Sequence, residues 1–136
     1  MKDMSDTPYP KEITFQSRVK DWMEACFGVQ KTTNVKNRGF RFVEESVELA
    51  QAAGLTKEEV LKLVDYVYNQ DHTGEPEQEV GGVEVTLAGL CTALNIDKEK
   101  AANTELDRVW RNIEKIRRKE QSKPDAGPLP GTYDGN

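Results

Sequence analysis

Two short acidic runs contain the residue types best suited to binding a divalent metal ion. Glu44, Glu45 and Glu48 lie in one helical pattern, and Glu79 lies in another. Glutamates three positions apart on a helix differ by about 60° around its axis, so Glu45 and Glu48 can reach one point in space. A carboxylate from a facing helix, Glu79, would complete a set of oxygen ligands that suits Mg²⁺. Gly82 stands where a fourth acidic ligand would be expected.

The position of Glu79 on its helix predicts that it has a partner. It lies in register with Val83, Thr86 and Leu90, which form the apolar side of that helix. Burying a carboxylate there costs several kcal/mol unless it is paired or bound to a metal ion. We therefore expect Glu79 to point inward, toward Glu45 and Glu48.

The neighbours of Glu79 offer few replacements for the residue missing at Gly82. Glu75 lies about 40° from Glu79 around the helix axis, so Glu75 or a water molecule is the expected substitute. Glu84 is displaced by about 140° and is a poor one. Gly81 and Gly82 each cost a helix about 1 kcal/mol relative to alanine, which predicts that another group approaches the backbone there.

A simpler interpretation of the first acidic run stays open. Arg41 and Glu45 are an i, i+4 pair, which is typical of an ordinary solvated helix face. On a helical wheel, Phe40, Val43 and Val47 form the expected core side, and the acidic sector lies about 100° to 200° away.

Helical periodicity runs through almost the whole chain and predicts five helices. Their expected ranges are Ile13 to Phe27, Arg38 to Ala53, Thr56 to Gln70, Glu75 to Leu94, and a last helix that starts at Asp97. Gly28 and Gly54 are predicted ends, Thr56 opens a capping box, and Pro76 suits a first turn. The fold class is therefore all-α, an antiparallel helical bundle spanning residues 1–121. Prolines and glycines predict an irregular tail over residues 122–136.

Composition excludes some classes of function. Of 136 residues, 36% are hydrophobic and 32% charged, with a net charge of −5. An acidic chain is not expected to bind duplex nucleic acid, because phosphate neutralisation requires a basic face. The longest uncharged run is too short to span a membrane. The polar N-terminus does not resemble a signal peptide, so we expect a cytoplasmic protein with Cys26 and Cys91 reduced.

Single residues that could carry chemistry have simpler expected roles. His72, the one histidine, is expected in a surface loop between helices. Trp22 and Trp110 lie on apolar faces, where core packing is expected rather than base stacking.

The paired motifs resemble a known group of enzymes. Glu44-Glu45-x-x-Glu48 followed by Glu79-x-x-Gly82 is similar to the ExxE and ExxD metal motif of the MazG-like, all-α nucleoside triphosphate pyrophosphohydrolases. The resemblance covers roughly residues 15–119, and Gly82 replaces the aspartate of the family.

The resemblance implies Mg²⁺-dependent cleavage of a nucleoside triphosphate into a monophosphate and pyrophosphate, with Mn²⁺ as a second candidate ion. We favour a deoxynucleoside triphosphate. Glu45, Glu48 and Glu79 match the metal ligands, and Glu44 or Glu48 is a candidate to orient or deprotonate the attacking water. The candidates for phosphate binding are Arg38, Arg41, Lys115 and Arg118.

The sequence is also compatible with two other functions. The chain could be a non-catalytic helical module that binds a nucleotide or a protein, because Gly82 removes one ligand. It could also be a phosphoribosyl-ATP pyrophosphohydrolase, whose helices are similar. The family commonly forms dimers or dimers of dimers, so the resemblance implies a homodimer or homotetramer.

Overall fold

The computed structural model describes residues 12–122 and 127–129 of the chain, and these residues form helices and loops without any strand. The predicted all-α class is confirmed. The helices of this described part are α1 (Phe15–Phe27), α2 (Val29–Thr32), α3 (Val35–Ala52), α4 (Lys57–Tyr68), α5 (Pro76–Leu94), α6 (Lys98–Arg111) and α7 (Ile113–Gln121). None of these helices is long and apolar enough to cross a membrane.

Local capping signals place most helix ends where the sequence predicts them. Thr56 opens α4 as a capping box, in which the Glu59 carboxylate accepts a hydrogen bond from the Thr56 amide at 2.8 Å. Pro76 occupies the first turn of α5. Gly28 ends α1 with φ of 87°, a left-handed conformation that favours glycine. Thr56 satisfies and Pro76 removes an amide that a helix start would otherwise leave unpaired.

Two differences from the prediction concern short connections. The expected polar link after Gly28 contains the single turn α2, and α3 begins at Val35 because the Asn34 side chain accepts a hydrogen bond from the Asn37 amide at 3.0 Å. The predicted last helix is two helices, α6 and α7, separated at Asn112. The Asn112 side chain donates to the Arg108 carbonyl at 2.9 Å, so this asparagine competes for a backbone group within the helix.

The chain forms two compact units. Among the described residues, the first unit comprises 12–42, 102–122 and 127–129, and the second comprises 43–101. Helices α3 and α6 each contribute to both units. Of the predicted tail, only Ser122 and residues 127–129 are described, and the rest lies outside the described residues.

The first unit has a small core in which α1 packs against α2 and α7. Cys26 and Leu106 are its buried apolar residues, with 2% and 4% of their surface exposed. Two polar residues are also buried, Asn37 at 0% and Glu120 at 6% exposure. The ring of Trp22 packs edge-on against that of Phe27, with centroids 5.2 Å apart.

An ion pair joins the start of α3 to the end of α7 inside this core. The Arg38 guanidinium lies 3.0 Å from the Glu120 carboxylate and 4.9 Å from the centre of the Phe27 ring. It also donates to the Asn37 side-chain oxygen. Each charge is therefore paired and hydrogen-bonded, which is the condition for burying it.

Arg117 connects α7 to the end of α1. Its guanidinium donates to the carbonyls of Cys26 at 3.0 Å and Ala25 at 2.9 Å. Carbonyls in the last turn of a helix have no partner within the helix, so this side chain satisfies two of them.

The second unit buries much less. No residue of α4 or α5 is buried, and Val43 and Val47 of α3 are 57% and 44% exposed. The side chains expected to form a core are therefore open to solvent in the single chain. Trp110 in the first unit, also expected in a core, is 42% exposed.

Removing the Glu120 carboxylate should destabilise the first unit strongly. We expect Glu120→Ala to lower the free energy of unfolding by about 3 kcal/mol, because Arg38 would be left with an unpaired charge in a largely buried position. Urea denaturation followed by tryptophan fluorescence measures this, since Trp22 and Trp110 both belong to the first unit. Glu114→Ala is the control, because its pair with Arg117 is exposed and should contribute less than about 1 kcal/mol. Equal losses in the two variants would contradict the structural role of Arg38–Glu120.

Burial raises the pKa of the Cys26 thiol, so this cysteine should make stability fall at alkaline pH. Because the thiol pKa is higher in the folded state, its contribution to stability is fully present below the pKa of the unfolded state, 9.0. This contribution is lost as the pH rises through the pKa of the folded state. We expect unfolding free energy to decline above pH 9 in the wild type and to decline less in Cys26→Ala. Urea unfolding at a series of pH values from neutral to alkaline measures how the unfolding free energy of each protein depends on pH. The same pH dependence in the wild type and in Cys26→Ala would contradict the prediction.

Candidate functional site

Helix α3 carries the first acidic run on one uninterrupted stretch. Glu44, Glu45 and Glu48 all belong to its second-unit part, where Glu44 is half-buried and the other two are exposed. Because the helix continues regularly through Ala52, Glu45 and Glu48 keep the spacing of about 60° that the sequence predicts. This part of the predicted ligand set is a pair of carboxylates on one helix.

Glu79 lies in the first turn of α5, in the same unit. Its amide donates to the carbonyl of the N-cap residue Glu75 at 3.0 Å, and Glu75 provides no side-chain cap. A carboxylate in a first turn is stabilised by the partial positive charge of the helix N-terminus. The expectation that Glu79 points into an apolar interior is wrong for the single chain, because the side chain is exposed.

Gly74 explains where the Glu79 side chain lies. A Cβ added to Gly74 would overlap Glu79 Oε1 and would lie 2.9 Å from its Cδ. The carboxylate therefore folds back over the loop before α5 and uses the space that a larger residue at position 74 would fill. Sequence reasoning missed Gly74, since no local pattern relates a loop glycine to a carboxylate five residues later.

The three predicted metal ligands are not gathered in the described conformation. No group of three or more histidine, cysteine, aspartate or glutamate side chains among the described residues is close enough to hold a metal ion. The carboxylates have the right chemistry for Mg²⁺, since they are hard oxygen donors. Their arrangement does not fit, because the described conformation does not gather the three of them into one group.

Gly82 does not interrupt α5 and has no close neighbour. The Thr86 hydroxyl donates to the Gly82 carbonyl at 2.9 Å, and a Cβ added at Gly81 or Gly82 would meet no atom within 4 Å. The close approach that these glycines predict is therefore not made within the single chain. The proposed substitute Glu75 is the exposed N-cap residue of α5.

Two of the candidate phosphate-binding residues make intramolecular contacts in the first unit. The Arg38 guanidinium is directed to Glu120, Asn37 and Phe27, so its observed role is structural. Arg41 donates to the Pro128 carbonyl at 2.6 Å. The other two candidates, Lys115 and Arg118, are exposed on α7.

The lone histidine is in an exposed loop, as predicted. His72 Nδ1 lies 3.3 Å from the Asp71 carboxylate, and both side chains are largely solvated.

A second exposed charge cluster lies at the start of α6, where Lys98 is 3.0 Å from Glu99 and 3.3 Å from Glu84. The hydrogen bond to Glu99, followed by that to Glu84, raises the pKa of Lys98, so this side chain forms a solvated charge cluster with them.

A cleft of about 380 Å³ lies in the first unit beside α1, α2 and α7. Its volume falls in the range of small-molecule sites, but its charged groups are already engaged. The Lys31 ammonium donates to the Glu120 carbonyl at 3.4 Å, Glu24 pairs with Lys20 at 2.6 Å, and Arg117 caps α1. The cleft offers no unpaired charge to select a ligand.

The chain matches none of the protein-family models, curated proteins or solved structures with which we compared it. The resemblance to MazG-like enzymes therefore depends on the two acidic motifs and their order.

Replacing Gly74 by alanine should force the Glu79 side chain to move. Gly74 has an ordinary backbone conformation, so alanine should stabilise the chain by about 0.4–1 kcal/mol through the unfolded state. We expect this gain to be smaller by about 0.5 kcal/mol when Glu79 is present than in a Glu79→Ala background. Thermal unfolding followed by circular dichroism of the four chains gives this difference. Equal effects of Gly74→Ala in both backgrounds would show that the two residues are not in contact.

Proposed function

We propose that the protein is a metal-dependent nucleoside triphosphate pyrophosphohydrolase, with Mg²⁺ or Mn²⁺ as the ion. It would convert a nucleoside triphosphate, with a deoxynucleoside triphosphate favoured, into a monophosphate and pyrophosphate. Glu45, Glu48 and Glu79 are the proposed ligands, and Glu44 or Glu48 the proposed group that acts on water.

One observation carries this proposal. The two acidic motifs that the sequence relates to each other occur on two regular helices of the same unit, α3 and α5. Glu45 and Glu48 are exposed and lie one turn apart on α3. Glu79 is held at the start of α5 in a space that Gly74 provides. If the acidic residues only formed ordinary solvated helix faces, the two motifs would not need to occur together in one unit.

When bound, a divalent ion would neutralise charge on the phosphate oxygens and hold a water molecule near them. The described conformation does not gather Glu45, Glu48 and Glu79 into one group, so the proposed activity requires these three carboxylates to come together when the ion binds. Among the phosphate-binding candidates, Lys115 and Arg118 are exposed, whereas Arg38 is engaged by Glu120.

A second candidate function is a non-catalytic helical module that binds a nucleotide or a protein. The separation of the carboxylates and the glycine at position 82 favour it. Phosphoribosyl-ATP pyrophosphohydrolase activity has no observation of its own in its favour.

The proposal is tested by incubating the protein with each common ribonucleoside and deoxynucleoside triphosphate and Mg²⁺, and resolving the products. We expect a monophosphate and pyrophosphate from at least one deoxynucleotide. Glu45→Gln should lower the rate by at least about 100-fold, because it removes the charge of a proposed ligand with little change in shape.

Glu58→Gln is the matched control, because it makes the same substitution at an exposed carboxylate in the first turn of α4. Its rate should equal that of the wild type. No turnover of any nucleotide with either Mg²⁺ or Mn²⁺ at high protein concentration would exclude the enzyme and leave the binding module. Equal rates in Glu45→Gln and wild type would remove Glu45 from the ligand set.

A further inference from the structure

The net charge of −5 is distributed unevenly between the two units. The second unit contains 13 aspartates and glutamates and 4 lysines and arginines, which gives it a net charge of −9. The described residues of the first unit contain 7 acidic and 12 basic side chains, which gives them a net charge of +5. Such a difference in sign between parts of one chain suggests that the basic part meets a polyanion.

The unpaired positive charge of the first unit is concentrated at the end of α6 and along α7. Arg111, Lys115, Arg118 and Lys119 are exposed there. Within the described part of the chain, no ion pair or side-chain hydrogen bond engages any of these four cations. The remaining two arginines of α6 and α7 are paired with glutamates. Four cations of the first unit are therefore available to an anion.

These four residues form one basic stripe, because they lie along a single helical path. Lys115, Arg118 and Lys119 belong to α7, where residues three and four positions apart are neighbours on the surface. The α-helical bonds continue across the break at Asn112, whose amide and carbonyl make bonds of 3.1 and 3.0 Å to residues four positions away. Arg111 therefore lies one turn before Lys115 on the same side. At 1.5 Å per residue, the stripe is about 12 Å long.

The basic stripe has the charge and chemistry to follow a chain of phosphates. On a helical wheel its four cations fall within a sector of about 100°, and no acidic residue of the range 111–122 falls in that sector. The nearest of these acidic residues, Glu114, is neutralised by Arg117 at 2.8 Å. Two of the four cations are arginines, whose planar guanidinium can donate two hydrogen bonds to one phosphate.

Trp110 lies at the edge of the basic stripe and is 42% exposed. It directly precedes Arg111 and is about 80° from Arg118 around the helix axis. Proteins that bind single-stranded nucleic acids combine cations that follow the backbone with aromatic rings on which unpaired bases stack. The exposed indole ring beside the stripe matches this combination.

The opposite side of α7 is occupied, which distinguishes between the possible polyanions. Ile113 and Ile116, the apolar residues of this helix, are half-buried, and α7 packs against α1. The helix is therefore not free on all sides to enter the major groove of a duplex. It also has no open apolar face to insert into a membrane surface.

We propose that the basic stripe binds the phosphate backbone of a single-stranded nucleic acid, and that a base stacks on Trp110. DNA and RNA strands share this chemistry. The inference is independent of the proposed enzymatic activity, because it involves the first unit alone and no metal ion. Since Lys115 and Arg118 are also candidates to bind a triphosphate, the experiment omits both nucleotide and metal ion.

Fluorescence anisotropy of labelled oligothymidine and oligouridine measures this binding on the full chain in the presence of EDTA. Strands of about 15 nucleotides fall within the site sizes of single-strand-binding folds. We expect log K to fall with log[NaCl] with a slope of about −3, because four contacts to a single strand contribute about −0.7 each. Binding of either strand supports the proposal, and the tighter one identifies the sugar that is preferred.

A matched pair of double variants tests the position of the charges. Lys115→Gln/Lys119→Gln should make the salt slope less steep by about 1.4 and weaken binding at low salt by about 10-fold. Lys57→Gln/Lys62→Gln makes the same substitutions and the same change in net charge at two exposed lysines of α4, in the second unit. This control should bind like the wild type. Circular dichroism verifies that both variants retain their helices.

The stacking role of Trp110 is tested separately. Trp110→Leu keeps an apolar side chain but removes the ring, so it should weaken binding of both oligonucleotides by about 10-fold. Trp110→Phe should restore most of the affinity, because a phenyl ring still stacks on a base. Equal losses in the two variants would remove the stacking role.

Three results would overturn the inference. They are no binding of either strand at low salt, equal salt slopes in Lys115→Gln/Lys119→Gln and its control, and tighter binding of a DNA duplex of the same length. Cosedimentation with vesicles of phosphatidylcholine and phosphatidylserine provides a further comparison. Tighter binding to these vesicles than to the single strands would assign the stripe to a membrane surface instead.

Discussion

The need to bury apolar surface is the constraint on which the rest of this structure depends. Ordering a residue costs roughly 1–2 kcal/mol of conformational entropy, and burial of apolar atoms provides most of the compensation. The first unit meets this requirement in part by itself, since Cys26 and Leu106 are buried where α1 packs against α2 and α7. The second unit has no buried residue in α4 or α5, so the contacts of these helices provide much less of this compensation.

The first unit combines a small apolar core with polar groups that hold specific elements together. Arg38 and Glu120 join the start of α3 to the end of α7, two segments that are 82 residues apart in sequence. Arg117 similarly joins α7 to the last carbonyls of α1. Ionic and hydrogen-bonding contacts of this kind are directional, so they fix which helix ends meet, whereas apolar contacts alone permit many alternatives.

Sequence reasoning predicted the helices well because their signals are local. Thr56, Pro76 and Gly28 act within one turn of the helix that they start or end. The break at Asn112 was missed because asparagine is tolerated in helices, and its competing bond to Arg108 appears only in the fold. The role of Arg38 was also missed, since an arginine near an acidic run suggests phosphate binding and its distant partner Glu120 leaves no local trace.

The difference between local signals and long-range contacts also determines how much of the proposed site could be predicted. The spacing of Glu45 and Glu48 is fixed by one helix and could be predicted, whereas the distance from Glu79 to that pair depends on how α3 and α5 pack. In the single chain these helices lack the buried contacts that would hold them at a defined distance, and the three carboxylates remain apart. Like charges also repel, so three carboxylates do not converge without a cation or a rigid scaffold.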